Sequence, residues 1–255
     1  METVSKKHFF LGGKDLEMQE IEQLLISHNC SYSNASLSWH NAQLSQYANE
    51  INKLSELDIK IYGIELFEDI TPPPNYIRID HHNDFSNRSS SLIQVADLLD
   101  IKLNRFQQLV AVNDVGYIPA MVSFGASTEE INAIRRADRQ AQGITEQDEA
   151  LAVKAIENNL SQYKELIIIK ALTSKFSPIC DRLFPYNALL IYTDEELTYY
   201  GNFVPKLKQL FDEHIKSHKI YYGGNDSYLG IAKNAFSPNE IINIISQIKL
   251  LYESI

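Results

Sequence analysis

Cysteine is scarce in this chain of 255 residues, which holds only Cys30 and Cys180. Two thiols build neither a disulfide framework nor a cysteine-rich zinc site, so a reducing, cytoplasmic setting is expected. Long apolar runs are absent as well. The longest are of the 166–169 kind, far below the ~18 residues of a membrane span. Near the start, residues 8–11 are too few for the apolar core of a secretory leader. Basic residues are outnumbered, with 23 Lys and Arg against 33 Asp and Glu and a formal net charge of −10. That balance argues against coating of long nucleic acid, which needs a basic surface to neutralise phosphates. It permits a small phosphate-bearing ligand, or a metal held by carboxylates. Repeats and low-complexity segments are missing too. What is present is ordinary: 44% hydrophobic and 22% charged residues, the composition of a globular protein rather than a disordered or collagen-like one. The length suits one large domain or two modest ones.

The first half alternates between strand and helix patterns. Residues 8–11 form an apolar run ending in Gly12-Gly13, followed by a helical pattern carrying Leu16, Ile21, Leu24 and Leu25. Residues 39–57 predict a second helix, with Leu44, Tyr47, Ile51 and Leu54 at spacings of three and four. Residues 59–66 and 76–79 are β-branched and apolar, separated by the breaker Pro72-Pro73-Pro74. Residues 91–99 are helical, and 109–112 read as a further short buried strand. Short apolar strands between helices predict a parallel sheet covered on both faces.

From Ser127 the character changes. Ser127 with Glu130 makes a capping box for a helix bearing Arg135, Arg136 and Arg139; Gly143 stops it, and Thr145 opens another through roughly Tyr163. Strand patterns follow at 166–169, 188–192, 197–200 and 220–222, with a helix at 204–218. Ser237, Pro238 and Glu240 open a last helix with Ile241, Ile244, Ile245 and Ile248 on one side. The expected architecture is α/β. An N-terminal parallel sheet with helices on both faces (1–126) is joined by a helical linker (127–163) to a smaller α/β domain (164–255).

The chemistry concentrates at strand ends. Tyr76-Ile77-Arg78-Ile79 delivers Asp80-His81-His82 at its carboxyl end, where open α/β sheets place ligands. Adjacent side chains on a strand point to opposite faces, so a loop there is what lets both imidazoles reach one site. The triplet alone reads equally well as a surface turn. Further acids add to it: Asp15 and Glu17 after the first strand, Glu65 at the end of 59–66, and Asp114 after 109–113. Any one of them also suits a cap or turn, Asp15 in particular. Carboxylates with imidazole and no thiolate suit Mn²⁺ or Mg²⁺, with zinc or iron as alternatives.

This arrangement resembles the DHH phosphoesterase superfamily of exonucleases, dinucleotide phosphodiesterases and manganese pyrophosphatases. Asp80-His81-His82 matches the naming motif. Asp15-Leu16-Glu17 stands for the first motif, an Asp-x-Asp pair; Glu65 for the second; and Asp114 for the fourth. Gly223-Gly224-Asn225 through Gly230 resembles the glycine-rich substrate loop of the family's C-terminal domain, with Asn225 where His is usual; it also reads as a hairpin turn. The resemblance implies Glu65 bridging two ions, Asp15 on one, and Glu17, His81 and Asp114 on the other. Asp80 would orient His81, and His82 would face the substrate phosphate.

Gly223, Gly224 and Asn225 would hold substrate. Arg136 is the candidate phosphate contact of its helix, where at least two of the three arginines are expected on an exposed face. Two departures stand out. Leu11 occupies the position of a usual His, and Glu17 and Glu65 replace aspartates. The expected activity is metal-dependent hydrolysis of a phosphodiester or phosphoanhydride in a nucleotide-sized substrate, with Mn²⁺ or Mg²⁺ as cofactor. The alternative is a non-catalytic nucleotide-binding module. A pyrophosphatase is disfavoured because no basic C-terminal motif is found.

Overall fold

The structure, a computed structural model, describes residues 6–223 and 227–253. Its chain divides into two compact units, Met1–Gly143 and Ile144–Ile255.

The first unit runs β1 (Lys7–Leu11), α1 (Leu16–Ser27), β2 (Ser31–Ser33), α2 (Ala48–Ser55), β3 (Lys60–Ile64), β4 (Tyr76–Ile79), α3 (Ser91–Leu99), α4 (Arg105–Ser123) and α5 (Thr128–Ala141). Its four strands lie in the order β2-β1-β3-β4, all parallel. Alternation along the strands turns Phe10 and Ile61 to one face, where Leu44, Tyr47 and Ile51 cover them. The other face carries Phe9 and Tyr62, stacked at 4.9 Å. Helices α1 and α3 pack together and bury Ile21, Leu25, Leu92 and Val95. Burial on both faces is why these strands read as nearly unbroken apolar runs.

Two expectations are corrected here. Residues 39–57 do not form one helix: 3₁₀ turns at Trp39–Asn41 and Leu44–Tyr47 precede α2. The chain is drawn there onto the segment that follows β3, with the Leu44 amide donating to the Phe67 carbonyl at 2.9 Å. The run 109–112 is not a strand but part of α4, opened by Asn104 and Gln107 as a reciprocal capping box. A short apolar run looks alike in a buried strand and a buried helix, and only the cap upstream separates them. Strand β2, three residues long and polar, left no apolar signal to read.

The second unit runs α6 (Glu146–Asn159), β5 (Leu160–Tyr163), β6 (Leu166–Lys170), α7 (Ser177–Leu183), β7 (Ala188–Tyr192), β8 (Leu197–Tyr200), α8 (Val204–Leu210), α9 (Asp212–Lys216), β9 (Ile220–Gly223), β10 (Tyr228–Ile231) and α10 (Pro238–Leu251). The sheet order is β5-β6-β7-β8-β10-β9, with only β6 and β7 parallel. One core joins Leu190, Tyr199 and Leu229 to Leu207, Ile241 and Ile248. Another joins Ile169, Leu189 and Ile191 to Ala152, Ala155 and Ile179. The segment 127–163 is shared out: α5 belongs to the first unit, α6 and β5 to the second. Among the described residues, no helix is long and apolar enough to cross a membrane.

Candidate metal centre

Four segments of the first unit converge at the carboxyl ends of its strands. After β1, Gly12 and Gly13 carry the chain to Asp15, whose Oδ1 caps α1 by accepting the Met18 amide at 2.8 Å. Glu17, in the first helical turn and 1% exposed, accepts the Leu92 amide of α3 on Oε1 at 3.0 Å. After β3, Glu65 adopts a left-handed backbone, φ 52°, an uncommon conformation for a residue with a side chain. Its amide donates to the Ile79 carbonyl at 2.9 Å, extending the β3–β4 pairing by one step before the chain turns away. Gly12 makes this approach possible: a Cβ there would lie 2.5 Å from the Ile64 carbonyl oxygen and 2.6 Å from that of Glu65.

After β4 come both histidines, their ring centroids 4.2 Å apart. Asp114 sits in α4 just before Gly116 and Tyr117, where the helical dihedrals fail and the helix kinks.

His81 is the hub. Its Nε2 lies 2.6 Å from Asp114 Oδ2, 3.2 Å from Glu65 Oε1 and 3.4 Å from Glu17 Oε2. These separations are short, yet Nε2, both Glu65 oxygens, Glu17 Oε2 and Asp114 Oδ2 are all buried without a partner in hydrogen-bond geometry. One donor atom from each of Glu65, His81, His82 and Asp114 falls within 4.8 Å of the others. Buried polar atoms are normally paired. Three carboxylates converging on one imidazole nitrogen, none correctly aligned to it, could serve as the donor set of a cation site. Oxygen and imidazole donors without thiolate fit a hard divalent ion.

Electrostatics carry the same message. Burial is the largest influence on Asp15, and with the Glu65 charge it raises the pKa to about 9 against the pull of the Met18 amide. Burial likewise raises Glu65 to about 8, although His81 opposes it. Asp114 is also raised by burial, while Glu17 is held down because His81 and the Leu92 amide outweigh its burial. For His81 itself burial favours the neutral ring, but Asp114, Glu17 and Glu65 overcome it and push the pKa up to about 12. Like charges this close hold protons or a cation.

Asp80 plays a different part from the one its resemblance implied. Its carboxylate does not orient His81. Oδ1 accepts the His82 amide at 2.8 Å and lies 3.2 Å from His82 Nδ1, while Oδ2 takes Arg78 Nη2 at 2.6 Å and Nε at 3.0 Å. The reason is strand geometry: residues 78 and 80 share a face, whereas His81 turns to the other. Despite its burial, the His82 and Arg78 bonds hold the Asp80 carboxyl well below the ordinary range. His82 is thereby anchored on its Nδ1 side while remaining partly exposed.

Of the arginines on α5, Arg135 and Arg139 are buried and Arg136 is exposed, so the expectation that at least two line an exposed face is corrected. Arg135 Nη1 donates to Asn113 Oδ1 at 3.0 Å, beside Asp114. Gly223 ends β9 and pairs with Tyr228 in an antiparallel hairpin; Gly224 and Asn225 lie outside the described residues. His8 is turned away, its ring nitrogens 2.7 Å from Ser31 Oγ and 3.0 Å from Ser33 Oγ.

No family profile and no curated protein matches the sequence. Solved structures do match. A pGpG-specific phosphodiesterase, PggH, from Vibrio cholerae aligns over 99% of both chains with a TM-score of 0.51 and 10% identity. The two chains share one fold. A RecJ from Thermus thermophilus, solved in complex with Mn²⁺, aligns with 98% of this chain and 52% of its own, with a TM-score of 0.47 and 10% identity. Within this fold, three of the acids sought from sequence, Glu17, Glu65 and Asp114, do gather around His81. Two residues escaped the sequence reading. Arg78 was visible as a strand neighbour at i−2 of Asp80, and Trp39, edge-on to His82, was hidden in what read as an amphipathic helix.

Proposed function

We infer that the protein is a divalent-metal-dependent phosphoesterase acting on a nucleotide-sized substrate, a short oligonucleotide or dinucleotide. The observation that carries this reading is the buried set Glu17, Glu65, His81 and Asp114, whose facing heteroatoms have no hydrogen-bond partner among the described residues. Those residues would hold the ion, with Mn²⁺ or Mg²⁺ favoured by the oxygen-rich donors. When bound, such an ion supplies an acidified water and neutralises charge on a phosphoryl group.

The chain's own residues do the rest. Arg78 fixes Asp80, and Asp80 fixes His82 through the backbone amide and Nδ1. That leaves the His82 Nε2 edge for a phosphoryl oxygen and restricts its rotation before substrate arrives. Arg135 on Asn113 steadies the helical turn that presents Asp114. Gly223 at the hairpin end belongs to the proposed substrate loop.

The test is turnover of short oligonucleotides and of the dinucleotide pApA with added Mn²⁺. His81→Ala should lower it at least ~100-fold, since this imidazole meets three acids at once. Full activity in that variant would sink the assigned site. A non-catalytic nucleotide-binding module is the competing reading, favoured by one observation: Asp15 Oδ1 serves the helix cap and Leu11 replaces a usual histidine, which leaves a single compact donor cluster. Metal analysis separates the two. Two tightly held ions per chain count against the binding-only module.

A further inference from the structure

Trp39 is the only tryptophan of the chain, and folding leaves it 43% exposed. Its ring centroid is 5.7 Å from that of His82, with the two rings inclined at 66°. The end of β1 holds it there. Gly13 bridges to Leu37, and the Lys14 amide donates to the Leu37 carbonyl at 2.9 Å, which ties residues 37–39 to the strand that leads to the centre. The indole then lies directly on Gly13: a Cβ at that position would sit 2.5 Å from Cδ2 and 2.7 Å from Cε3 of the ring. A cleft of about 440 Å³ adjoins it, lined by Lys14, Ser36, Ser38, Trp39, Gln142 and Gly143.

A tryptophan that merely covered glycine would need no cleft beside it. Here an indole, two serines, a glutamine and a lysine, with the apolar Leu37 and Ala141, line a space within the size range of ligand pockets, next to the histidine assigned to phosphate. We propose that this cleft is a nucleobase subsite in which Trp39 stacks on a base, Ser36, Ser38 and Gln142 meet its polar edge, and Lys14 faces the adjoining phosphate. This rests on the phosphoesterase reading above. Stacking is tolerant of base identity, because every base offers a π face, so the subsite selects nucleotides over other phosphoesters more than one base over another.

The single tryptophan makes the test direct. The full-length protein with Mg²⁺ is titrated with AMP and with ribose 5-phosphate, which differ only in the base, while tryptophan fluorescence is followed with correction for adenine absorbance. Quenching by AMP, with ribose 5-phosphate at least about fivefold weaker, is the expected result. In turnover of pApA with Mn²⁺, Trp39→Ala should raise KM about 5- to 150-fold, and Trp39→Phe, which keeps a stacking ring, should recover most of that loss.

If AMP binds or pApA is cleaved while the fluorescence and the Trp39→Ala KM stay unmoved, the subsite is overturned and the phosphoesterase reading survives. Equal quenching by ribose 5-phosphate overturns base stacking, as does a Trp39→Ala loss confined to kcat. Absence of both AMP binding and pApA cleavage overturns both readings.

Discussion

At the scale of single residues, the centre depends on a glycine that bears no functional group. Gly12 lets the β1 and β3 ends approach so closely that a methyl group would meet two carbonyl oxygens at 2.5 and 2.6 Å. Backbone oxygens of a paired strand cannot swing aside as a side chain can. Gly12→Ala should therefore cost about 1–3 kcal/mol of stability and displace Glu65, weakening metal binding as well. Urea melts paired with Mn²⁺ titration would check both, and a variant with wild-type values in each would refute the account.

His8 tests a different residue-level claim. Burial is the larger influence and lowers its pKa, with Glu50 opposing. The folded state thus binds fewer protons at His8 than the unfolded chain does. Its contribution to stability is full above roughly pH 6.5 and is lost as the pH falls through that value toward the lower folded pKa. His8→Gln should flatten the wild-type decline in stability between about pH 7 and pH 5, measured by thermal melts across that range.

At the scale of elements, helix starts are the best-specified features of the chain. Asn104, Ser127, Thr145 and Ser237 each form a complete capping box, in which the side chain accepts an amide three residues on and that residue's side chain answers. The last of these opens α10, which buries Ile241, Ile244, Ile245 and Ile248 against the second sheet. Ser237→Ala should cost about 1 kcal/mol, read as a lowered denaturation midpoint of the second unit, with metal binding by the first unit unaffected. A larger loss would mean that the serine supports more than the cap.

The kink in α4 belongs to this scale as well. Gly116 and Tyr117 leave helical geometry, and Tyr117 takes φ 57°. The turn that ends there aims the Asp114 carboxylate at His81. A carboxylate near the carboxyl end of a helical stretch opposes the helix dipole, and the His81 imidazole 2.6 Å away offsets that penalty.

At the scale of the whole molecule, the −10 charge reads differently once the acids are located. Asp15, Glu17 and Glu65 are buried and Asp114 is half-buried in one region of the first unit, the last three of them around His81. Without an ion, Asp15 and Glu65 have folded-state pKa values of about 9 and about 8, above their ordinary ones. Stability from these two groups is therefore full below the ordinary carboxylate range and is lost as the pH rises through 8 and 9. A divalent ion requires the deprotonated ligands, so its binding should expel protons and tighten with increasing pH. Calorimetry in two buffers of different ionisation enthalpy would show that release; equal heats in both would contradict it. At a hundredfold excess over Kd the ion should add about 2.7 kcal/mol of stability, visible as a higher Tm that EDTA reverses.

Much of this was legible one residue at a time. The capping boxes, the alternation of apolar runs with helices, and the acids and histidines at strand ends are local patterns, because each rests on hydrogen bonds or spacings within a few positions. The sequence by itself therefore determined the α/β class, the helix starts at Ser127, Thr145 and Ser237, and the residue types available to the centre. Other features rest on contacts between distant segments, and tertiary structure alone decided them. Residues 109–112 became helix as α4 buries Leu109, Val110 and Ala111 and packs on α1, α3 and α5; Asp80 turned to His82 and Arg78 because β4 pairs with β3 in one register; and Trp39 reached His82 because Gly13 and Leu37 meet across 24 positions. Side-chain identity states which chemistry is possible, while the packing of strands and helices sets which atoms come within reach.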